Sequence, residues 1–376
     1  MRPAQILVVD DEPGIIRAVD RVLGGAHHVT GTSSSRAALS LAEQIKPDLA
    51  IVDIRMPALD GFELMSRLKA RLPDLDVILM TGSIDDLDEK LVRALRSPAF
   101  YFIQKPFDRD VLSTLVERCL ELRRRREDHQ RNLHRLETEM AEARAFQQSL
   151  LPQPEAVING LSICCRYTPC ERLGGDLYDY LDAGNGRTAL LIADVSGHGV
   201  SAAMLTGVVK SAFRAAGAEG YDPHAVVRRV WSGLTAFGAD RFATLFSGLL
   251  SSNERQLQYV NAGHPSILLW NTTRRPQWLE STGPLISTVL PESAWDVEMV
   301  RLHDGDRLLL YTDGVSEVLA DTSECAKARI ETITGDESLD GAQVLDAILA
   351  AVDGELAGVL QPDDLTLLTA RFNKGS

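Results

Sequence analysis

Ile6-Leu7-Val8-Val9-Asp10-Asp11 is an apolar run of strand length closed by a carboxylate pair, and Leu49-Ala50-Ile51-Val52-Asp53 repeats the arrangement further along. Side chains alternate between the two faces of a strand, so an unbroken apolar run is buried on both, as in a parallel sheet covered by helices. Short β-rich runs at 6–10, 28–32, 49–53, 77–81 and 100–104, most of them near-continuously apolar, alternate with helical stretches and predict a five-stranded doubly wound α/β sheet over 1–120. Sheets of this kind carry their sites at the carboxyl ends of the strands. Asp10, Asp11, Asp53, Thr81 and Lys105 all fall there.

Three carboxylates in one pocket repel one another unless a divalent cation neutralises them, and Mg²⁺ favours a few carboxylates plus water and phosphate oxygens. With the metal in place Asp53 becomes a phosphoryl acceptor, and the Lys105 ammonium and Thr81 hydroxyl are suited to stabilise the charge that develops. The acidic pair, the stretch Asp53-Ile54-Arg55-Met56-Pro57-Ala58-Leu59-Asp60-Gly61, Thr81-Gly82 and Lys105-Pro106-Phe107 together resemble the response-regulator receiver family. The resemblance implies that Asp53 is phosphorylated by a sensor histidine kinase. It also implies that Asp10, Asp11, Asp53 and the Arg55 carbonyl hold Mg²⁺, that Phe102 is an aromatic switch partnered with Thr81, and that Lys105-Pro106 is cis.

From Leu112 the apolar residues fall into heptads: Leu112, Leu115, Cys119 and Leu122, a polar break at Arg126 and His129 beside Arg123-Arg124-Arg125-Arg126, then Leu133, Leu136, Met140, Ala143, Gln147 and Leu150. A sustained seam predicts a long helix that pairs with another, running unbroken to Pro152, which cannot continue it. The expectation is a helical coiled-coil linker over 121–152 and a parallel homodimer through it.

Over 153–376 the pattern changes to strands in runs rather than strand–helix–strand units, with long helices at 200–216 and 224–237, which predicts an α+β domain of packed antiparallel sheets flanked by helices. Asp176, Asp194, Asp313, Asp363 and Asp364 stand at strand ends. Asp194-Val195-Ser196-Gly197-His198-Gly199 and Asp313-Gly314 add glycines that let the backbone approach a metal or phosphate. Carboxylates without cysteine ligands select Mg²⁺ or Mn²⁺ over zinc. Two such ions about 4 Å apart would acidify a shared water for in-line attack on phosphorus.

Gln148-Ser149-Leu150-Leu151-Pro152, Gly174-Gly175-Asp176-Leu177-Tyr178-Asp179, the 193–199 stretch, Asn261-Ala262-Gly263-His264, Tyr311-Thr312-Asp313-Gly314-Val315-Ser316-Glu317 and Asp363-Asp364-Leu365-Thr366 resemble the PPM-type metal-dependent serine/threonine phosphatases of the SpoIIE/RsbU branch. The resemblance implies that Asp194 bridges two Mn²⁺ or Mg²⁺ ions with help from the Val195 carbonyl. Asp176 would stand on the second-metal side, and Asp313 and Asp363, in preference to Asp364, would hold the first. The general acid stays open among His198, His264 and water; the two histidines and Asp179 read more simply as structural groups, and Gly283-Pro284-Leu285 resembles the family's loop near the site but reads equally as a simple turn.

A formal charge of -14 opposes direct nucleic-acid binding. The 376 residues contain no apolar run long enough to span a bilayer, the N-terminus leads straight into a strand without a signal peptide, and the five cysteines show no metal-type spacing, so a cytoplasmic protein is expected. The resulting expectation is a response regulator whose receiver controls a phosphatase acting on a phosphorylated anti-anti-sigma (STAS) factor. The alternative is a receiver-gated binding adaptor with no significant turnover.

Overall fold

A computed structural model of the chain describes residues 2–82, 100–197, 199–237, 241–271, 274–291 and 294–373. The chain divides into two compact units, Met1–Leu136 and Glu137–Ser376.

In the first unit β1 (Gln5–Val9), β2 (His28–Thr32), β3 (Leu49–Asp53), β4 (Asp76–Thr81) and β5 (Phe100–Gln104) form a parallel sheet in the order β2-β1-β3-β4-β5. The described helices between them are α1 (Pro13–Leu23), α2 (Ser35–Ile45) and α3 (Gly61–Arg71). Ser34 caps α2 by accepting from the Ala37 amide at 3.3 Å, and Asp60 caps α3 by accepting from Glu63 at 2.7 Å. The alternation along the strands fills two cores. Ile6, Val8, Ile51 and Ile78 pack with Val19, Leu112 and Val116 on one face, while Leu7, Val9, Val52 and Leu79 pack with Ala38, Leu64 and Leu68 on the other. The expected doubly wound sheet is therefore present.

Helix α4 runs from Arg109 to Leu150 without interruption, and the division between the units falls within it. The arginine run that breaks the heptad seam is engaged inside its own unit. Arg126 reaches the buried Asp76 at the start of β4 (2.5 Å), Arg123 donates to the Asp74 carbonyl, and Arg124 donates to the Arg2 carbonyl at 3.1 Å. Leu133 and Leu136 are exposed in the single chain.

The second unit packs two antiparallel sheets face to face, in the orders β15-β11-β10-β9-β8, with β14 beside β10, and β13-β12-β16-β17-β7-β6. Their strands are β6 (Glu155–Ile158), β7 (Leu161–Thr168), β8 (Asp176–Gly184), β9 (Arg187–Val195), β10 (Phe242–Ser251), β11 (Gln256–Ala262), β12 (Ile267–Asn271), β13 (Arg274–Leu279), β14 (Ile286–Ser287), β15 (Glu298–Arg301), β16 (Arg307–Tyr311) and β17 (Leu365–Phe372). Tyr178, Ile192 and Phe246 meet Ile163, Leu310 and Leu368 between the sheets. The outer face of the first sheet is covered by α5 (Val200–Ala215) and α6 (Pro223–Thr235). The outer face of the second is covered by α7 (Asp313–Leu319), α8 (Ser323–Thr334) and α9 (Gly341–Leu356).

The last three helices and β6, β8, β13, β14 and β15 go beyond the elements anticipated from sequence. The signal for α9 was present, since Asp340 and Gln343 form a reciprocal capping box at its start. β8 is obscured by its acids, yet Asp179 is fully buried there because Lys210 Nζ (2.8 Å) and Arg214 (2.7 and 2.8 Å) from α5 neutralise it. No described helix is long and apolar enough to cross a membrane.

Candidate active sites

In the first unit, β1 and β3 are hydrogen-bonded neighbours, so the carboxylates at their ends emerge side by side. Asp10 and Asp53 are buried, whereas Asp11 is exposed. Lys105 Nζ bridges them, 2.7 Å from Asp10 Oδ2 and 2.5 Å from Asp53 Oδ1. The other Asp53 oxygen accepts from the Arg55 amide at 2.9 Å. Burial pushes the Asp53 carboxyl up, against the opposing pull of Lys105. Burial also works against the Lys105 ammonium, but its bonds to the two aspartates prevail and its pKa is raised.

The loop after β3 must fold back tightly here. A Cβ on Gly61 would stand 2.3 Å from the Asp53 carbonyl oxygen, so only glycine fits. Thr81 is buried at the end of β4, and the Lys105 amide donates to its carbonyl at 2.7 Å. Phe102 lies in register with Leu79 on the adjacent strand, so its side chain leaves the sheet on the same face as that of Thr81. The Lys105-Pro106 peptide is cis.

In the second unit the acids of the two sheets converge at one end of the sandwich. Asp176 opens β8 and is the register partner of Asp194 near the end of β9, while Asp313 follows β16 and Asp363-Asp364 precede β17. Thr312, just past the end of β16, and Thr366 in β17 send their hydroxyls to Asp176 Oδ2 of the first sheet, at 2.7 and 2.5 Å. Asp176 is pushed well up by burial and then by Asp194. Asp194 is pushed up to about 7 by burial and then by Asp313, Asp363, Asp364 and Glu317, all acidic. Burial, Asp363 and Glu317 likewise raise Asp313.

The adjacent acids Asp363 and Asp364 occupy different surroundings. Asp364 is buried, and its carboxylate accepts from the backbone amides of Cys170 (2.8 Å), Gly175 (2.6 Å) and Asp176 (3.3 Å). Asp363 is half-buried and accepts from the Asp364 amide at 2.7 Å. Ligand-capable atoms of Cys170, Asp363 and Asp364 lie within 4.8 Å of one another. Burial and the neighbouring Asp364 push the Cys170 thiol up to about 12.

Backbone around the acids is packed to the limit that glycine sets. A Cβ on Gly175 would stand 2.5 Å from the Val195 carbonyl oxygen, 3.2 Å from that of Gly197 and 3.4 Å from Asp194 Oδ1. The Gly175 carbonyl accepts from the Val195 amide at 3.1 Å. Crowded acids of this kind, beside a backbone carbonyl and without thiolate, are the donor set that Mg²⁺ or Mn²⁺ takes.

His198 lies outside the described residues. His264 is buried, its Nδ1 is 2.9 Å from Thr244 Oγ1 and its amide donates to Asn261 Oδ1 at 2.9 Å. Burial pushes its imidazole down to about 3, so it is neutral near pH 7. The Asn261–His264 turn packs on the Gly283 loop, where a Cβ at Gly263 would meet the Leu285 amide at 2.6 Å. Both stretches thus pin the turn beside β10.

Sequence reading missed two groups. One is Asp364 as a clamp on three amides, and the other is Gln147, the buried polar residue of the last turns of α4. The polar residue at an apolar heptad position was the signal for Gln147.

Comparison with known proteins agrees with this division. Residues 184–373 match the family model described as stage II sporulation protein E (SpoIIE), and residues 6–117 match the response regulator receiver domain. The chain belongs to the SpoIIE family and carries a receiver domain in its first unit. Protein IcfG of Synechocystis sp. is 28% identical over 265 residues, which cover 62% of this chain and 42% of IcfG. The chain thus matches less than half the length of that curated relative. The RsbU and RsbW domains of Rv1364c from Mycobacterium tuberculosis superpose with a TM-score of 0.52 at 27% identity, covering 59% of this chain and 63% of that one. The SiaA-PP2C domain of Pseudomonas aeruginosa superposes with a TM-score of 0.56 at 21% identity, covering 64% of this chain and 99% of that one, and so shares the fold.

Proposed function

We propose that the protein is a response regulator in which phosphorylation of Asp53 controls a metal-dependent phosphatase that removes phosphate from serine or threonine of a partner protein. The observation that carries the reading is the acidic cluster around Asp194, whose carboxyl is held up at about 7 by burial and by acids alone. Such a cluster is costly unless cations occupy it.

Asp194 would be shared between two Mn²⁺ or Mg²⁺ ions, with Asp313 and Asp363 holding the first, Asp176 on the side of the second, and the Val195 carbonyl helping to hold one of them. Asp364 is the lesser candidate because its oxygens already serve backbone amides. When bound, the ions would supply Lewis acidity and a water made nucleophilic near neutral pH. The chain's own part is placement. Thr312 and Thr366 orient Asp176, Asp364 fixes the Gly175 backbone, and Gly175 leaves room for the Val195 carbonyl. Burial holds the His264 imidazole neutral near pH 7, which favours water over it as the general acid.

In the receiver, Asp10, Asp11, Asp53 and the Arg55 carbonyl would hold Mg²⁺, with Lys105 neutralising the phosphoryl group that a sensor histidine kinase donates to Asp53. Thr81 and Phe102, on one face of the sheet, would form the switch. The exposed Leu133 and Leu136 of α4 support pairing with a second copy through this helix. An anti-anti-sigma factor is the substrate class that the SpoIIE/RsbU resemblance supports, and the M. tuberculosis neighbour carries an RsbU domain beside an RsbW domain. The five cysteines are all free, which suits the reducing cytoplasm.

The test is phosphate release from a phosphorylated STAS protein with Mn²⁺. Wild type is expected to turn over and Asp194→Asn to be inactive. Tight binding of the STAS protein without release would instead support an adaptor.

A further inference from the structure

The segment Gly174-Gly175-Asp176 carries the first acid of the cluster into place, and the partner of each backbone polar group in its glycine pair is identified. The Gly175 amide goes to Asp364, and the Gly175 carbonyl accepts from the Val195 amide. Both groups of Gly174 go to one side chain outside the sheets. Gln147 Nε2 donates to the Gly174 carbonyl at 2.7 Å, and the Gly174 amide donates to Gln147 Oε1 at 3.2 Å.

Gln147 lies one turn from the end of α4, is buried, and also reaches Thr206 Oγ1 of α5 at 3.4 Å. Its neighbours Phe146 and Gln148 are exposed. A side-chain amide that donates and accepts in the same pair copies a strand's hydrogen-bonding edge, so it holds one backbone position more tightly than either bond alone. Gly174 has no slack on its other side. A Cβ there would stand 2.1 Å from Asp364 Oδ2 and 2.5 Å from the Tyr167 hydroxyl.

We infer that Gln147 is a positioning residue for the metal site: through its two bonds to Gly174, the last turn of α4 sets the place of Asp176 and of the Gly175–Val195 contact. The inference rests on the proposed metal-dependent activity but is separable from it. Both bonds come from one side chain, so fraying or rotating the final turn of α4 withdraws them from Gly174 at once.

The experiment compares the full-length wild type with Gln147→Ala, Gln147→Glu and the exposed control Gln148→Ala. It uses amide hydrogen exchange of the peptide spanning 173–177, calorimetric Mn²⁺ binding, and turnover as a function of Mn²⁺. Gln147→Ala is expected to speed exchange of that peptide at least tenfold and to weaken Mn²⁺ binding at least tenfold. Turnover at saturating Mn²⁺ should stay within about threefold of wild type. Gln147→Glu keeps an acceptor for the Gly174 amide but sets its other oxygen against the Gly174 carbonyl, so it should also speed exchange and weaken Mn²⁺ binding, and Gln148→Ala should match wild type.

Unchanged exchange and Mn²⁺ affinity in Gln147→Ala would overturn the inference. If that variant loses protection throughout the second unit, Gln147→Glu decides, and a wild-type response in it overturns the inference equally. A wild type that releases no phosphate while local exchange and Mn²⁺ affinity still respond would refute the phosphatase reading and leave the positioning role standing.

Discussion

Asp364 closes on the backbone of Gly175, its Oδ2 accepting the Gly175 amide at 2.6 Å, while the adjacent Asp363 makes no such bond to that loop among the described contacts. The two acids therefore separate by experiment. Hydrogen bonds to a charged acceptor contribute about 1.5–3 kcal/mol each, so Asp364→Asn should lower stability by about 2 kcal/mol or more as well as activity. Asp363→Asn should lower turnover at least a hundredfold while leaving the denaturation midpoint of the metal-free protein unchanged or raised, because it removes a charge that repels Asp194 and Asp313. Urea titrations of both variants alongside phosphate release check this.

Gly175→Ala puts a methyl group 2.5 Å from the Val195 carbonyl oxygen. Backbone contacts cannot yield as a flexible side chain does, so the strand ends carrying Asp176 and Asp194 must separate. The expected outcome is loss of Mn²⁺ binding by calorimetry, with the far-ultraviolet dichroism of the sheets retained. Unaltered binding would show that the Val195 carbonyl lies outside the metal site.

His264 makes stability depend on pH with a defined sign. Its pKa falls from 6.5 in the unfolded chain to about 3 when folded, so the unfolded state binds more protons between these values. Its contribution is complete above 6.5 and is lost as pH falls, by about 2 kcal/mol at pH 5. The raised carboxyls of the metal cluster act with the opposite sign, so the readout is a difference. In metal-free protein, the stability of wild type minus that of His264→Gln should decline from pH 7.5 to 5.

Arg126 is half-exposed but bonds the buried Asp76, whose other oxygen has no described hydrogen-bond partner. Removing the exposed partner leaves a buried charge without its counter-ion, which costs more than breaking a surface pair. Arg126→Ala should destabilise the receiver unit by about 1–3 kcal/mol, read by amide hydrogen exchange of its strands, and Arg125→Ala should not.

The parts legible in sequence were those whose residue type answers to one local rule. Near-continuous apolar runs gave β1, β3, β4 and β5 to within a residue, and the acids that close β1 and β3 mark the receiver site. What escaped needed a partner far along the chain. Asp179 could be recognised as a strand residue only with Lys210 and Arg214 in view, and Arg126 reads as a flaw in a heptad until Asp76 is placed beside it. Asp363 and Asp364 are alike as letters, and the backbone amides that Asp364 binds make them different. Gln147 looked like a weak seam position because Gly174 is remote in sequence and adjacent in space.

The central claim is that the receiver governs a phosphatase, and the most direct test is phosphate release from a phosphorylated STAS protein in Mn²⁺, before and after adding an acyl-phosphate donor. The account predicts that turnover changes severalfold in wild type, stays constant in Asp53→Ala and is absent in Asp194→Asn. Release that responds equally in wild type and Asp53→Ala, or that persists in Asp194→Asn, would contradict it.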